Sequence, residues 1–122
     1  MENKLILIQD ESSIRAYQLD KVVLIKYDKD NKRWILIDNL NNDHVLMKGI
    51  TAESILRASE RLFHVKLDSI VNLGYLSEIK LKSVVLDGGS AGIIEIKSIP
   101  YNIQSLKDKF FIVKPVRLSR LK

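Results

Sequence analysis

Runs of β-prone residues separated by polar turns make up the first part of the chain. The runs are residues 4–9, 14–19, 21–27, 33–38 and 44–48. Polar segments at residues 28–32 and 41–43 separate the last three of them. Two β-prone runs joined by a short Asn/Asp connection are typical of a hairpin. The pattern therefore predicts an antiparallel sheet with one face toward solvent.

The pattern becomes helical after Ile50. Thr51 is a good N-cap residue, and Glu53 lies in the first turn, where the helix dipole favours a negative charge. Ile50 and Ile55 occupy the two positions of a hydrophobic staple. Apolar residues then keep helical spacing, which predicts a helix over residues 52–61 with its apolar stripe on the sheet.

Strand-like runs return after this helix and then give way to a second helical segment. The runs are residues 63–65, 69–72, 75–82, 84–86 and 93–97, with a flexible loop, DGGSAG, at residues 87–92. Pro100 predicts a break and Asn102 predicts a helix cap. The spacing of Ile103, Leu106 and Phe110 predicts a short second helix, and residues 110–113 (FFIV) predict a final strand. These elements indicate a mostly β fold with two short helices.

Three residues of the predicted strands are expected to have structural roles. Asn72 lies in an otherwise apolar strand, where a side chain that satisfies backbone groups is favoured over a base contact. Tyr27 and Trp34 flank the first hairpin turn. We expect their rings to pack across the two strands instead of stacking on bases.

The composition is that of an ordinary globular chain. The 122 residues are 46% hydrophobic and 29% charged, which fits one domain over residues 1–122 with a core of its own. The chain has no cysteine, which excludes disulfides and thiolate zinc sites. No apolar run reaches the length of a membrane span or a signal-peptide core, so we expect a cytoplasmic protein.

The charge is unevenly distributed along the chain. Residues 1–60 carry 9 Lys/Arg against 10 Asp/Glu, whereas residues 61–122 carry 11 against 5. A one-sided positive charge favours polyanionic partners such as nucleic acid. The basic tail at residues 114–122 is either an arm that grips phosphates or a solvated tail, and the sequence leaves both interpretations open.

Candidate catalytic and metal-binding motifs lack essential residues. His44 and His64 have no cysteine partner and no histidine at helical spacing. The DGGSAG loop lacks the Gly-Lys-Ser/Thr ending of a phosphate-binding loop, and a strand-like run follows it instead of a helix. Residues 28–30 (DKD) begin like a calcium loop but the segment lacks the required later Gly and Glu. We therefore expect no enzyme activity, no cofactor and no metal site.

Residues 62–79, LFHVKLDSIVNLGYLSEI, resemble the signature strand of a known family. The matching positions are Phe63, Ile70-Val71-Asn72-Leu73, Tyr75-Leu76 and Ile79. The family is that of the LytTR-type bacterial DNA-binding domains, and the glycine-containing hairpin and second helix follow in its order. The resemblance implies an elongated arrangement of antiparallel strands whose loops and strand ends enter successive major grooves. It also implies transcriptional regulation, with double-stranded DNA as the partner.

The resemblance implies DNA contacts from three separate segments. These are the turn at residues 29–33, the pair Lys66-Leu67, where the family has His and Arg or Asn, and Tyr101, where the family has Arg after Ser. The side chains expected to contact DNA are Lys29, Lys32, Arg33, Lys66, Tyr101, Asn102 and Lys107. Further expected partners are a second copy, as a homodimer or on direct repeats, and a separate signalling protein. No membrane partner is expected.

Two of these positions depart from the family's pattern. Leu67 cannot hydrogen-bond a base edge, and Tyr101 cannot make the bidentate contact to guanine that an arginine makes. Each lost bidentate pair removes about 1–3 kcal/mol of discrimination, whereas phosphate binding needs only well-placed cations. Non-specific affinity is therefore expected to survive better than sequence specificity. The rival hypothesis is a degenerate domain of the same fold, used for protein–protein interaction or for non-specific DNA binding.

The candidate lysines also have alternative explanations. Lys66 is either a DNA contact or a solvated partner of Asp68, two residues away. The charges of residues 29–33 are also those that a hairpin tip needs for solubility. The sequence leaves both pairs of alternatives open.

Overall fold

The computed structural model describes residues 5–113, with side chains up to residue 110. The tail expected at residues 114–122 lies outside the described residues. The strands are β1 (Leu5–Gln9), β2 (Ile14–Gln18), β3 (Val22–Asp28), β4 (Arg33–Asp38), β5 (Asp43–Leu46), β6 (Leu62–Lys66), β7 (Ser69–Asn72), β8 (Leu76–Ile79), β9 (Ser83–Asp87) and β10 (Ile93–Lys97). The helices are α1 (Ala52–Leu56) and α2 (Pro100–Val113). Within residues 5–113, no helix is both long enough and apolar enough to cross a bilayer.

The strands form two antiparallel sheets. The larger sheet has the order β2-β1-β5-β4-β3-β7-β6, and the smaller has the order β10-β9-β8. Each neighbouring pair is antiparallel, including the hairpins β3–β4, β4–β5 and β9–β10. The prediction of a mostly β, antiparallel fold with two helices is confirmed.

The centre of the larger sheet is buried on both faces. Val22 and Ile25 of β3 belong to a core that also contains Ile55 of α1. Val23 and Leu24 belong to a second core, which contains side chains of the smaller sheet and of α2. The predicted solvent face is found on β1, where buried and exposed residues alternate. It is wrong for β3, whose uninterrupted apolar run is buried on both sides, as such runs usually are.

Helix α1 begins as predicted but is shorter. The side chain of Thr51 accepts a hydrogen bond from the backbone N–H of Ser54 at 3.2 Å, which confirms the N-cap. The helix ends at Leu56, and the expected extension to residue 61 is wrong. The chain has to turn there because β6 begins at Leu62 and pairs with β7, so strand pairing overrides the helical spacing of residues 57–61.

Helix α2 replaces two predicted features. It runs from Pro100 to Val113, so the expected final strand at residues 110–113 is wrong. Phe110 packs against the second core together with Ile103 and Leu106, and this stripe at helical spacing outweighs the β propensity of FFIV. The expected capping role of Asn102 is also wrong, because the residue lies inside the helix, which proline begins.

The residues to which the sequence assigns structural roles have them. The ring centroids of Tyr27 and Trp34, which are cross-strand partners, lie 5.2 Å apart in an edge-on arrangement. Asn72 is buried, and its Nδ2 donates to the carbonyls of Leu19 and Val22 at 3.1 and 2.7 Å. Its Oδ1 accepts from the N–H of Gly74 at 2.9 Å. The amide thus satisfies backbone groups that strand pairing leaves free.

A buried carboxylate organises the turn after β4. Asp38 is 2% exposed and accepts hydrogen bonds from Tyr17 Oη at 2.5 Å and from His44 Nε2 at 3.0 Å. Its other oxygen accepts from the backbone N–H groups of Leu40 and Asn42 at 3.0 and 2.8 Å. Asp38 therefore joins the edge strand β2, the β4–β5 turn and β5.

Candidate nucleic-acid interface

The first two predicted contact segments lie side by side at one end of the larger sheet. Lys26, near the end of β3, is opposite Ser69, the first residue of β7. One residue further, the N–H of Tyr27 donates to the carbonyl of Asp68 at 2.9 Å. The tip of the β3–β4 hairpin therefore emerges beside the β6–β7 turn, which contains Leu67 and Asp68.

The third predicted segment, at Tyr101, is hydrogen-bonded to the same end of the sheet through its neighbours. Ser98 Oγ and Asn102 Nδ2, which flank the start of α2, both donate to the carbonyl of Val65, the latter at 3.1 Å. Val65 immediately precedes Lys66, the last residue of β6. The sequence separates these three segments by dozens of residues, and the fold brings them together.

This end of the sheet is rich in cations, and we call residues 26–33, 48 and 66–68 the basic end. Its cations are Lys26, Lys29, Lys32, Arg33, Lys48 and Lys66, and its carboxylates are Asp28, Asp30 and Asp68. The five lysines are exposed, and among the described residues none forms an ion pair with a carboxylate. The basic end therefore carries an excess of positive charge that is free to meet a polyanion.

The opposite end of the same strands has the opposite balance, and we call residues 20–21, 38–43 and 60–61 the far end. It contains two cations, Lys21 and Arg61, against the four carboxylates Asp20, Asp38, Asp43 and Glu60. From α2, Lys109 Nζ adds a third positive charge there by donating to the carbonyl of Glu60. The charges are still polarised along the strands, and a polyanion would be attracted to the basic end in preference to the far end.

Lys29, Lys32 and Lys66, all predicted contacts, lie in the basic end and are exposed. Lys32 has a positive φ of 56°, and its N–H closes the hairpin turn by donating to the carbonyl of Asp28 at 2.8 Å. Lys66 makes no ion pair with Asp68, whose carboxylate instead accepts a hydrogen bond from Ser69 Oγ at 3.0 Å. The ion-pair alternative for Lys66 therefore lacks support in the structure.

Arg33 is half-buried and already engaged within the protein. Its guanidinium donates to Gln9 Oε1 at 2.9 Å and to the carbonyl of Leu46 at 3.2 Å. These bonds link β4 to β1 and to the end of β5. A substitution at Arg33 would therefore disturb the sheet as well as the surface charge.

The predicted contacts on α2 differ in their placement. Tyr101 is 76% exposed beside the basic end, whereas the side-chain amide of Asn102 already donates a hydrogen bond to the carbonyl of Val65. Lys107 is half-buried and lies five residues beyond Asn102, about 7.5 Å along the helix axis. Further along, Lys109 Nζ donates to the carbonyl of Glu60 at the far end. Lys107 thus lies between the two ends and outside the basic end.

Two lysines of the basic end, Lys26 and Lys48, were not among the contacts predicted from the sequence. Lys26 and Lys66 are both opposite Ser69, from the strands on either side of β7, so their backbones are two strand spacings, roughly 10 Å, apart. Lys48 follows β5 and lines one surface groove with Arg33, Asn31 and Asp28. The charge that ends the apolar run of β3 could have indicated that Lys26 is exposed, but only the strand register relates it to Lys66.

Asp28 keeps a negative charge within this positive surface. Its carboxylate accepts a hydrogen bond from Asn31 Nδ2 at 2.7 Å and another from the N–H of Asp30 at 3.0 Å. The Asn31 side chain contributes most to holding the pKa of Asp28 below its ordinary value. The group stays ionised at neutral pH and shapes the hairpin tip, since its bonds close the turn that presents Lys29 and Lys32.

Known structures identify the architecture. The LytTr DNA-binding domain of a putative methyl-accepting/DNA response regulator from Bacillus cereus superposes with a TM-score of 0.58. The match covers 90% of this chain and 95% of that one, at 10% sequence identity. The chain has the LytTR fold. No family model and no curated protein matches the sequence, so the LytTR fold is recognised here by its three-dimensional arrangement.

Proposed function

We propose that this chain binds double-stranded DNA through the basic end and regulates transcription from the bound site. The observation that carries the proposal is the convergence of three segments, with five exposed lysines, at one end of a sheet whose other end is acidic. Phosphates need correctly placed cations, and turns at a strand end are narrow enough to enter a major groove. The LytTR fold supports the same class of partner, because the Bacillus cereus domain that shares it is described as DNA-binding.

The proposed mode of binding uses turns and strand ends, with no recognition helix. Lys29 and Lys32 on the hairpin tip, with Lys66 after β6, would contact phosphates and position the duplex. Leu67 and Tyr101 would face base edges in the major groove. The proposal includes action in the cytoplasm, two copies on adjacent half-sites and control by a separate signalling protein.

A charge-reversal series tests the proposal. Fluorescence anisotropy with a random-sequence duplex would compare the parent protein with Lys32→Glu, Lys66→Glu and Lys21→Glu. Lys21 is exposed, and it precedes β3 whereas Lys29 follows it, so the control lies roughly 25 Å from the hairpin tip. Because all three variants change the net charge equally, only location distinguishes them.

We expect Lys32→Glu and Lys66→Glu each to weaken binding about tenfold, and Lys21→Glu to leave it nearly unchanged. Equal losses in all three would indicate attraction by net charge alone, and the basic end would not be the interface. Parent-like binding by both basic-end variants would overturn the assignment.

A second candidate is a module of the same fold that binds DNA without sequence preference or binds another protein. Leu67 and Tyr101 favour it, since neither can form a bidentate contact to a guanine. Repeated selection of binding sites from a random duplex library separates the two candidates. Enrichment of one short sequence supports a specific regulator, whereas binding without enrichment supports the second candidate.

A further inference from the structure

Three large side chains beside the lysines are exposed. Leu67 is 88% exposed, Tyr101 76% and Ile99 59%. Leu67 lies within the basic end. Ile99 and Tyr101 flank Pro100, the first residue of α2, and Asn102 bonds this part of the helix to the carbonyl of Val65. We call Leu67, Ile99 and Tyr101 the apolar tip.

The backbone that presents Leu67 is held in place by several hydrogen bonds. His64 Nε2 donates to the carbonyl of Leu67 at 3.0 Å, which closes the β6–β7 turn. The carbonyl of Asp68 is fixed by the N–H of Tyr27 and its carboxylate by Ser69 Oγ. The backbone of the turn is therefore held in place, and the leucine side chain projects from it into solvent.

Its surroundings determine what the apolar tip can contact. Lys66 precedes Leu67, and Lys26 lies two strands away. Asp68, which follows Leu67, has a carboxylate that accepts a hydrogen bond from Ser69 Oγ. The excess of positive charge at the basic end therefore favours a partner that brings negative charge next to an apolar group. Three side chains are too few to supply the roughly 1,200–2,000 Å² that a stable protein–protein interface buries. In the major groove of DNA, by contrast, the thymine C5-methyl is an apolar group flanked by phosphates, and it requires only one side chain in contact.

We infer that Leu67, supported by Tyr101, reads thymine methyl groups, so that the preferred ligand is duplex DNA with A·T pairs at the position facing the β6–β7 turn. This inference rests on the proposed function and adds its sequence preference. An apolar side chain gains from burying a methyl group and leaves the polar edge of a G·C pair without a partner. Specificity by apolar contact would thus replace the hydrogen-bonded readout that Leu67 cannot perform.

Replacing thymine with uracil tests the inference, because the substitution removes the methyl group and keeps the base pair. Two duplexes of one A·T-rich sequence, one with deoxyuridine at every thymidine position, would be titrated by anisotropy at one salt concentration. The proteins are the parent, Leu67→Ala and Leu40→Ala. Leu40 is a matched control, since it is a leucine, 66% exposed, in the turn after β4 at the far end.

We expect the parent and Leu40→Ala to bind the uracil duplex about fourfold more weakly for each methyl group in contact. Leu67→Ala should lose most of this difference between the two duplexes, because its shorter side chain buries less of the methyl group. An undiminished difference in Leu67→Ala would reflect altered duplex shape and would overturn the inference. Equal binding of both duplexes by the parent would also overturn it, yet leave the proposed function standing. Binding to neither duplex would overturn the proposed function itself.

Discussion

Asp38 shows how one buried side chain can hold a turn in a sheet. Burial opposes ionisation of the carboxyl, but the hydrogen bonds from Tyr17, Asn42, His44 and Leu40 outweigh it and hold the pKa of Asp38 well below its ordinary range. The same contact acts on its partner. Burial, and then the hydrogen bond to Asp38, raises the pKa of Tyr17 to about 12. Both groups therefore keep their neutral-pH protonation states over a wide pH range.

Replacing Asp38 is expected to cost stability in proportion to the acceptors that are lost. Asp38→Ala should lower the free energy of unfolding by about 2–4 kcal/mol at pH 7, because it leaves buried donors without partners. Asp38→Asn keeps one acceptor oxygen, so its free energy of unfolding should lie between those of Asp38→Ala and the parent. Urea denaturation curves of the three proteins measure these differences.

The lowered pKa of Asp38 predicts how the stability difference between the parent and Asp38→Asn depends on pH. A folded-state pKa below the unfolded value of about 3.9 gives stability that is fully present above that value and is lost as the pH falls through the folded-state pKa. The gap between the parent and Asp38→Asn should therefore be smaller at pH 3 than at pH 7. An equal gap at both pH values would mean that the charge of Asp38 contributes nothing.

Helix α2 is attached to the larger sheet at both of its described ends. Near its start, Ser98 and Asn102 donate to the carbonyl of Val65, and near residue 109 a lysine donates to the carbonyl of Glu60. Since β6 runs from residue 62 to 66, the helix lies antiparallel to this edge strand. The helix thus covers β6 and holds Tyr101 beside the basic end.

Removing the amide of Asn102 should loosen the start of this helix. Asn102→Ala is expected to lower the free energy of unfolding by about 1 kcal/mol, because one partly buried hydrogen bond to a backbone carbonyl is lost. Amide hydrogen exchange should quicken at Ile103 and Leu106 in particular. Gln104→Ala is the matched control, since that exposed amide bonds only to Asp108 within the helix. Parent-like exchange in Asn102→Ala would show that Val65 does not anchor the helix.

The charge polarisation of the larger sheet has a consequence for salt dependence. Each phosphate contact that releases a counterion contributes a slope of about −0.9 to the plot of log affinity against log salt. The neutral variants Lys29→Gln, Lys32→Gln and Lys66→Gln should each make the slope shallower by about 0.9, whereas Lys21→Gln at the far end should not. Anisotropy titrations at several salt concentrations measure these slopes. Equal slopes for all four variants would contradict binding at the basic end.

Much of the fold could be predicted from the sequence because its signals are local. Alternating and continuous apolar runs predicted the strands, and Thr51 marked the start of α1 because capping depends on neighbouring residues alone. The errors occurred where distant contacts compete with local preference. Pairing of β6 with β7 ended α1 early, and packing on the second core extended α2 through the segment FFIV. The resemblance of residues 62–79 pointed to the LytTR fold, which the comparison with the Bacillus cereus domain confirms.

By itself, the sequence determined the β character of the chain, its hairpin turns, the roles of Asn72, Tyr27 and Trp34 and the excess of basic residues, because each depends on short-range chemistry or on composition. Only the tertiary structure decided which cations lie together. Strand register placed Lys26 and Lys66 on either side of Ser69, and the hydrogen bonds to Val65 and Asp68 joined three distant segments into one surface. Register and long-range contacts are set by packing across the whole sheet, so no window of sequence contains them.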